Sequence, residues 1–273
     1  MQKAREIFLK AKRDVTNSNF GLNVSKFGSD GLDFVEIREY ANDEFKKINW
    51  KATAKSRELK TNVFNEARQL NIIIAYMIDG SLNFGSKCLK FELGAQIFAN
   101  LALAGVYSKN IVYPYIFSDK FEEIYPPISR EEEVYRVVDN TLNLNILGKS
   151  ANFATLSNAI NLETKKRSMI FVISDFLEQV DLSQIAVYND VYAICLRDRA
   201  EEDISIFAEL NFVDPVNFNE HELNIDKSTA QRYKELLKMH DYKLKEHFFN
   251  NKISSTKIYE DDDIVYKISR LMS

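Results

Sequence analysis

Asp79 and Ser81 place a carboxylate and a hydroxyl two residues apart in the stretch Asn71-Ile-Ile-Ile-Ala-Tyr-Met-Ile-Asp-Gly-Ser-Leu-Asn-Phe-Gly-Ser-Lys87. Hard cations such as Mg²⁺ take oxygen ligands of this kind. The same pair suits a plainer use, because an acid and a serine at a turn are also what caps a helix start. The acid run Glu260-Asp-Asp-Asp263 lacks the glycine turn and distal Glu of a Ca²⁺ loop, so it reads as a helix N-terminal cap. Of the three histidines, His221, His240 and His247, the last two lie seven apart on one helical pattern. A helical zinc pair needs a spacing of four, so these read as structural histidines. The chain has no Walker loop, no Gly-x-Gly-x-x-Gly and no Gly-x-Ser-x-Gly. It therefore shows no activated nucleophile and no base with a positioned partner, and no intrinsic turnover is expected.

Elements that could position Asp79 and Ser81 are legible on both sides of them. Asn71 to Ile78 is apolar, rich in β-branched Ile and without alternation, as a strand buried on both faces reads. After the polar turn a long helical pattern carries Leu89, Leu93, Ile97, Leu101 and Ala104 on one face. Strand, turn and helix in that order are where α/β folds hold ligands, outside the carboxyl ends of their strands. Further strands are expected at 110–117, 169–173, 190–196, 211–213 and 254–259. Helices are expected at 2–15, 130–143, 150–163, 227–249 and 262–272. Alternation of this kind argues a parallel sheet.

Composition sets limits. The chain has 273 residues, 45% of them hydrophobic and 28% charged, which suits a sizeable core. A net charge of -4 gives no general pull toward nucleic acid or anionic membrane. Cys88, placed in the long helix, and Cys195 sit in apolar settings and read as buried thiols rather than a disulfide. Ile97 to Tyr107, the longest apolar helical run, is too short to span a bilayer, and Met1 to Arg13 lacks a signal core. A cytoplasmic protein with no transmembrane segment is expected.

Upstream, Asn17 to Gly31 reads as a loop, Leu32 to Tyr40 as a strand and Leu59 to Phe64 as another. Arg38-Glu39-Tyr40 ends the first, and Asp43 and the single Trp of the chain, Trp50, lie between the two. This region reads as a polar lid or docking surface, or as a solvated hairpin with an incidental Trp. Lys46, Lys47, Lys51, Lys55, Arg57, Lys60 and Arg68 make it basic enough to suggest a nucleic-acid-binding module. Interleaved Glu44, Glu58 and Glu66 make that the lesser reading.

The residues Gly28, Gly31, Phe34, Ile37, Arg38, Glu39, Tyr40, Asp43, Ile48, Trp50 to Lys55, Phe64 and Glu66, followed by Asp79 and Ser81, form a dense pattern. It resembles a bacterial family of unknown-function proteins with a von Willebrand factor A-like domain, associated with MoxR-type AAA+ ATPases. Ile173-Ser174-Asp175-Phe176 and Asn189-Asp190-Val191 also fit. The resemblance implies an α/β fold: a mainly parallel, doubly wound, Rossmann-type sheet with helices on both faces and an N-terminal β addition. Residues 1–68 would form an N-terminal helix and signature region, and 69–273 the von Willebrand A-like domain.

It further implies a metal-ion-dependent adhesion site of the type Asp-x-Ser-x-Ser, with a Thr and an Asp from two other loops. Asp79 and Ser81 match the first two positions, Asn83 stands at the third, and Asp175 matches the last acid. Ala154 falls at the Thr position, with Thr155 one place away. The expected ligands of Mg²⁺ or another divalent cation are thus Asp79, Ser81, Asn83, Thr155 and Asp175, in a degenerate site. Arg38, Glu39, Tyr40, Asp43 and Trp50 are expected to bind a partner or brace the region, with Arg38 paired to Glu39 or Asp43 and Trp50 buried. The function implied is a non-enzymatic interaction module that works with a MoxR-type AAA+ ATPase on a client protein. The alternative is a metal-dependent hydrolase using Asp79 and Asp175.

Overall fold

Helix α1 (Gln2–Asn17) opens the computed structural model, which describes residues 2–18, 33–41, 48–65, 70–164, 166–204 and 209–272. Ala4, Ile7, Ala11 and Val15, spaced three or four apart, make its buried stripe. Strands β1 (Asp33–Glu39) and β2 (Lys60–Asn65) pair antiparallel as a separate two-stranded ladder. Their connection holds a helix that the sequence reading did not foresee, α2 (Trp50–Ser56). Its boundaries are set locally. Asn49 caps the start by accepting from the Ala52 N–H at 2.9 Å, and Arg57, at φ 61°, ends it in the left-handed region. Of the signature positions, Gly28, Gly31, Asp43 and Glu66 lie outside the described residues.

Strand β3 (Asn71–Met77) lies inside a six-stranded sheet, as its unbroken apolar run requires. Its companions are β4 (Ile111–Phe117), β5 (Phe121–Ile124), β6 (Met169–Ser174) and β7 (Asp190–Leu196). A second small ladder, β8 (Glu209–Val213) with β9 (Glu220–Asn224), precedes the last companion, β10 (Ser254–Ile258). The order is β10-β7-β6-β3-β4-β5, parallel throughout except for β5 at the edge. Leaving β3, the chain pairs first on one side, with β4, and later on the other, with β6. The carboxyl ends of β3 and β6 therefore flank the switch point, where open α/β sheets bind ligands. The α/β, mainly parallel architecture expected from the sequence is the one observed.

Both faces of β3 are core. Ile72, Ile74, Tyr76 and Ile78 pack with α1 and with helices α3 (Lys90–Tyr107), α4 (Glu131–Leu142) and, nearer the end of the chain, residues 264–272. Ile73, Ala75 and Met77 face the other way, against α5 (Phe153–Glu163) and α6 (Ser183–Ala186). After the short α7 (Arg199–Glu202), the long helix α8 (Lys227–Asn250) adds Leu244 and Phe248 to that side. Helix α9 (Ile264–Leu271) closes the fold, with Asp263 accepting from the Tyr266 N–H at 3.0 Å, so the acid run does act as a cap. Each fully buried Ile contributes roughly 1.5–3 kcal/mol.

Some local expectations change. A 3₁₀ turn, Gly80–Asn83, follows β3, and the long helix starts only at Lys90, so Cys88 lies ahead of it. Cys88 and Cys195 are both free thiols, the first half-buried and the second buried. Strands β5 and β9 were not foreseen, because both are short and charged, and the strand expected at 211–213 falls in the separate β8–β9 ladder rather than in the main sheet. Among the described residues, no helix is long and apolar enough to cross a membrane.

Candidate functional site

Asp79 ends the β3 run and Asp175 ends the β6 run, so neighbouring parallel strands deliver two buried carboxylates to the switch point. Ser81 joins them. Its hydroxyl lies within hydrogen-bond reach of Asp79 Oδ1 and of Asp175 Oδ2, and its N–H donates to Asp79 Oδ1 at 2.9 Å. A hydroxyl carries one proton, so it can donate to only one of the two acids. The other contact requires a proton on the acid. Burial first, and the nearby Asp175 second, push the Asp79 carboxyl up to about 7, against the opposing pull of its Ser81 hydrogen bonds and of Lys90. The Asp79 carboxyl thus keeps its proton to higher pH than an ordinary aspartate does.

The residue that organises this cluster was not picked out from the sequence. Lys90, the first residue of α3, is only 2% exposed, and its Nζ donates to Asp175 Oδ2 at 2.9 Å and to Glu201 Oε1. Burial works against its charge, but Asp175 and Glu201 outweigh burial and hold the ammonium above the ordinary lysine range. Glu201 is itself fixed, since its Oε2 accepts from the Asp198 N–H in a capping box at the start of α7. Asp198 accepts in turn from the N–H and hydroxyl of Ser86, at 2.6 and 2.9 Å. A signal for Lys90 was present: it falls three, seven and eleven residues before Leu93, Ile97 and Leu101, on the apolar stripe.

Behind the acids a second set of charges continues across the strand ends. Buried Arg197, just past β7, donates to the Asp175 backbone carbonyl at 2.7 Å and to Asp241 Oδ1 at 2.9 Å. Lys257 on β10 bonds Asp241 Oδ2 at 2.7 Å and also reaches Glu202. His240 Nε2 sits 2.7 Å from the carbonyl of Phe176, and His247 Nε2 accepts from the Leu182 N–H at 3.2 Å. Both histidines on α8 thus have structural roles, while the side chain of His221 lies outside the described set.

The loops are locked above the sheet. Gly80 donates its N–H to the Lys149 carbonyl at 3.0 Å, and Gly148 donates to the Pro215 carbonyl at 2.8 Å. A Cβ on Gly80 would meet the Pro215 oxygen at 2.3 Å, so only glycine permits the β8–β9 turn to lie this close.

The structure brings Asp79, Ser81 and Asp175 together but not the other two expected ligands. Asn83 ends the 3₁₀ turn with its side chain exposed. Thr155 is exposed in the first turn of α5, where its hydroxyl donates to the Asn152 carbonyl at 3.0 Å. The residues present do not fit a divalent ion. Among the described residues no three His, Cys, Asp or Glu side chains gather, and an ammonium already sits on Asp175. The arrangement can hold and relay a proton along Asp79, Ser81 and Asp175, and it can balance buried charge.

The signature region is built differently. Trp50 is 61% exposed at the start of α2, which overturns the expected buried, bracing indole. Ile37 and Leu59 are also exposed. Arg38 and Glu39 are exposed and Tyr40 half-buried. The described ion pair of Glu39 is with Lys60, at 3.6 Å, and the Tyr40 N–H donates to the Leu59 carbonyl at 2.9 Å. The Asp43 part of the bracing expectation lies outside the described residues.

A family model described as "Protein of unknown function DUF58" matches residues 36–243, a span that holds both regions. No curated protein matches the chain. Among solved structures, the conserved hypothetical protein BatB from Bacteroides thetaiotaomicron is 13% identical with a TM-score of 0.47, over 74% of this chain and 97% of that one. An aerotolerance-related membrane protein from Bacteroides fragilis NCTC 9343, carrying multiple mutations to serines, is 12% identical with a TM-score of 0.44, over 73% and 96%.

Proposed function

We propose a function for this chain from the premise that it belongs to the DUF58 family of proteins of unknown function: it is a non-enzymatic protein-interaction module. The partner is an ATPase of the MoxR-type AAA+ class, as the resemblance of the signature residues implies, and the pair remodels or activates a client in the cytoplasm. The observation that carries the reading is the exposure of Trp50 on a locally capped helix, in a region where Ile37 and Leu59 are exposed too. A tryptophan held at a surface by its own helix is the kind of anchor on which interfaces concentrate their energy. The test is binding of a purified MoxR-type ATPase to wild type and to Trp50→Ala. The variant is expected to keep its fold and lose affinity by at least about tenfold, a change of roughly 1.4 kcal/mol. Equal affinity of the two proteins, or no binding by wild type, would reject the reading.

A second reading, hydrolysis by Asp79 and Asp175, draws on one observation: a carboxyl pushed up to about 7 beside the Ser81 hydroxyl, which is half of an activated nucleophile. Against it, the Ser81 N–H is spent on Asp79 rather than left to receive an oxyanion, and Lys90 is committed to two acids. Steady-state hydrolysis by the pure protein that vanishes in Asp175→Ala would promote this reading over the first.

A further inference from the structure

The cluster at the switch point has the acids of an adhesion site but a different cation. We propose that Lys90 is the resident cation of this site, standing where the resemblance would put a divalent ion, and that removing its ammonium converts the cluster into a true divalent-cation site.

Three observations support the assignment. The first is position. Lys90 Nζ lies 2.9 Å from Asp175 Oδ2, the very acid whose place in the pattern is that of a metal ligand, and it is buried with that acid. An ammonium strapped to a ligand oxygen repels a dication that would have to share it.

The second is the source of Glu201. This acid belongs to no part of the adhesion pattern, yet the capping box of α7 aims it at Lys90. Asp175, Glu201 and the ammonium together are a buried ion triad in which the cation touches both acids, which is how a buried charge is kept from being costly. Phe84 adds its ring face, 5.9 Å from the ammonium. The Lys90 N–H donates to the Phe84 carbonyl at 2.8 Å, so the backbone that carries the cation is tied to the site loop.

The third is the fate of the two expected ligands that turn away. Asn83 and the Thr155 hydroxyl are not drawn inward. A site neutralised by its own lysine makes no demand for them, which agrees with an ammonium rather than an ion in the adhesion pattern's place. Deleting the ammonium leaves Asp175 Oδ2 and Glu201 Oε1 facing one vacated point, with Asp79 next in line through Ser81. Two carboxylates facing one point, with water to complete the shell, supply the oxygen ligands that hard divalent ions take.

The assignment concerns the chain alone and does not rest on the interaction reading, so the two can fail separately. The experiment is a Mn²⁺ titration of wild type, Lys90→Ala and Lys90→Arg, followed by electron paramagnetic resonance for bound ion and by thermal melting. Wild type and Lys90→Arg are expected to bind no Mn²⁺ at this site and to melt independently of millimolar ion. Lys90→Ala is expected to bind one Mn²⁺ within the millimolar range, with a rising melting temperature that wild type does not show. That gain should disappear when Glu201→Gln is added. If Lys90→Ala is unfolded without ion, recovery of its fold in Mn²⁺ supports the assignment and failure to recover rejects it. Mn²⁺ binding by wild type that is lost in Asp175→Asn would overturn the proposal outright, because the lysine would then not occupy the ion's place.

Discussion

The switch-point cluster and the signature hairpin lie in one family match and serve opposite physical ends. In the cluster the charges are paired at or near the interior: Asp175 with Lys90, Lys90 with Glu201, Arg197 with Asp241. In the hairpin, the helix around Trp50 is stabilised by its own caps and turns its largest apolar side chain to solvent. A closed network specifies the architecture of the strand ends, and an open one leaves surface for a partner. The acids that look most like a ligand site are thus the more structural of the two sets. The residue that looks like a core anchor, Trp50, is the more available.

Substitutions separate the two regions by size of effect. Asp175→Ala should be the most damaging, since it leaves the Lys90 ammonium half-paired in the interior. A loss of about 3–5 kcal/mol is expected, read by chemical denaturation. A loss below about 1 kcal/mol would show that the cluster is hydrated and would remove the contrast.

Next is a pH effect confined to the cluster. The folded-state pKa of Asp79, about 7, lies above its ordinary value of 3.8, so the native state binds this proton more tightly than the unfolded chain. The resulting stability is full below about pH 4 and is lost as the pH rises toward 7. The difference in unfolding free energy between wild type and Asp79→Asn should therefore drift against wild type across that window, and level off above it. A difference that stays flat from pH 4 to 8 would mean that Asp79 is ionised throughout.

Smaller effects belong to the hairpin. Asn49→Ala removes the cap of α2 and should cost about 1 kcal/mol, seen as faster amide exchange over residues 52–56 without a matching fall in global stability. Trp50→Ala should change stability by no more than about 0.5 kcal/mol, as for a surface position. A loss of about 3 kcal/mol or more would show that the indole is buried after all and would return Trp50 to the bracing role.

What was legible in the chain follows the same division. β3 could be read because six of its seven residues are buried, on two faces, and leave no alternation, Asp79 and Ser81 because they follow that run at a polar turn, and Asp175 because the resemblance pointed to it. Lys90 escaped notice because lysine reads as a solvated residue, and only its place on the Leu93, Ile97 and Leu101 stripe betrayed it. Asn83 and Thr155 were placed by pattern. Their side-chain directions depend on a 3₁₀ turn and on the first turn of α5, neither of which the pattern encodes. Helix α2 carried its own signals, Asn49 before a run of Lys and Ala, but lay between two strand-like segments that drew the reading toward β structure.

The close approach of Pro215 to Gly80 has a mechanical consequence. The turn between β8 and β9 rests on the peptide that joins Asp79 to Ser81, with no side chain between them to act as a cushion. The ties from Gly80 to Lys149 and from Gly148 to Pro215 bolt three sequence-distant loops into a single plate. The β8–β9 turn is therefore in direct contact with the backbone beside the buried acids. A methyl group at position 80 would push that turn away from the site loop and break the contact.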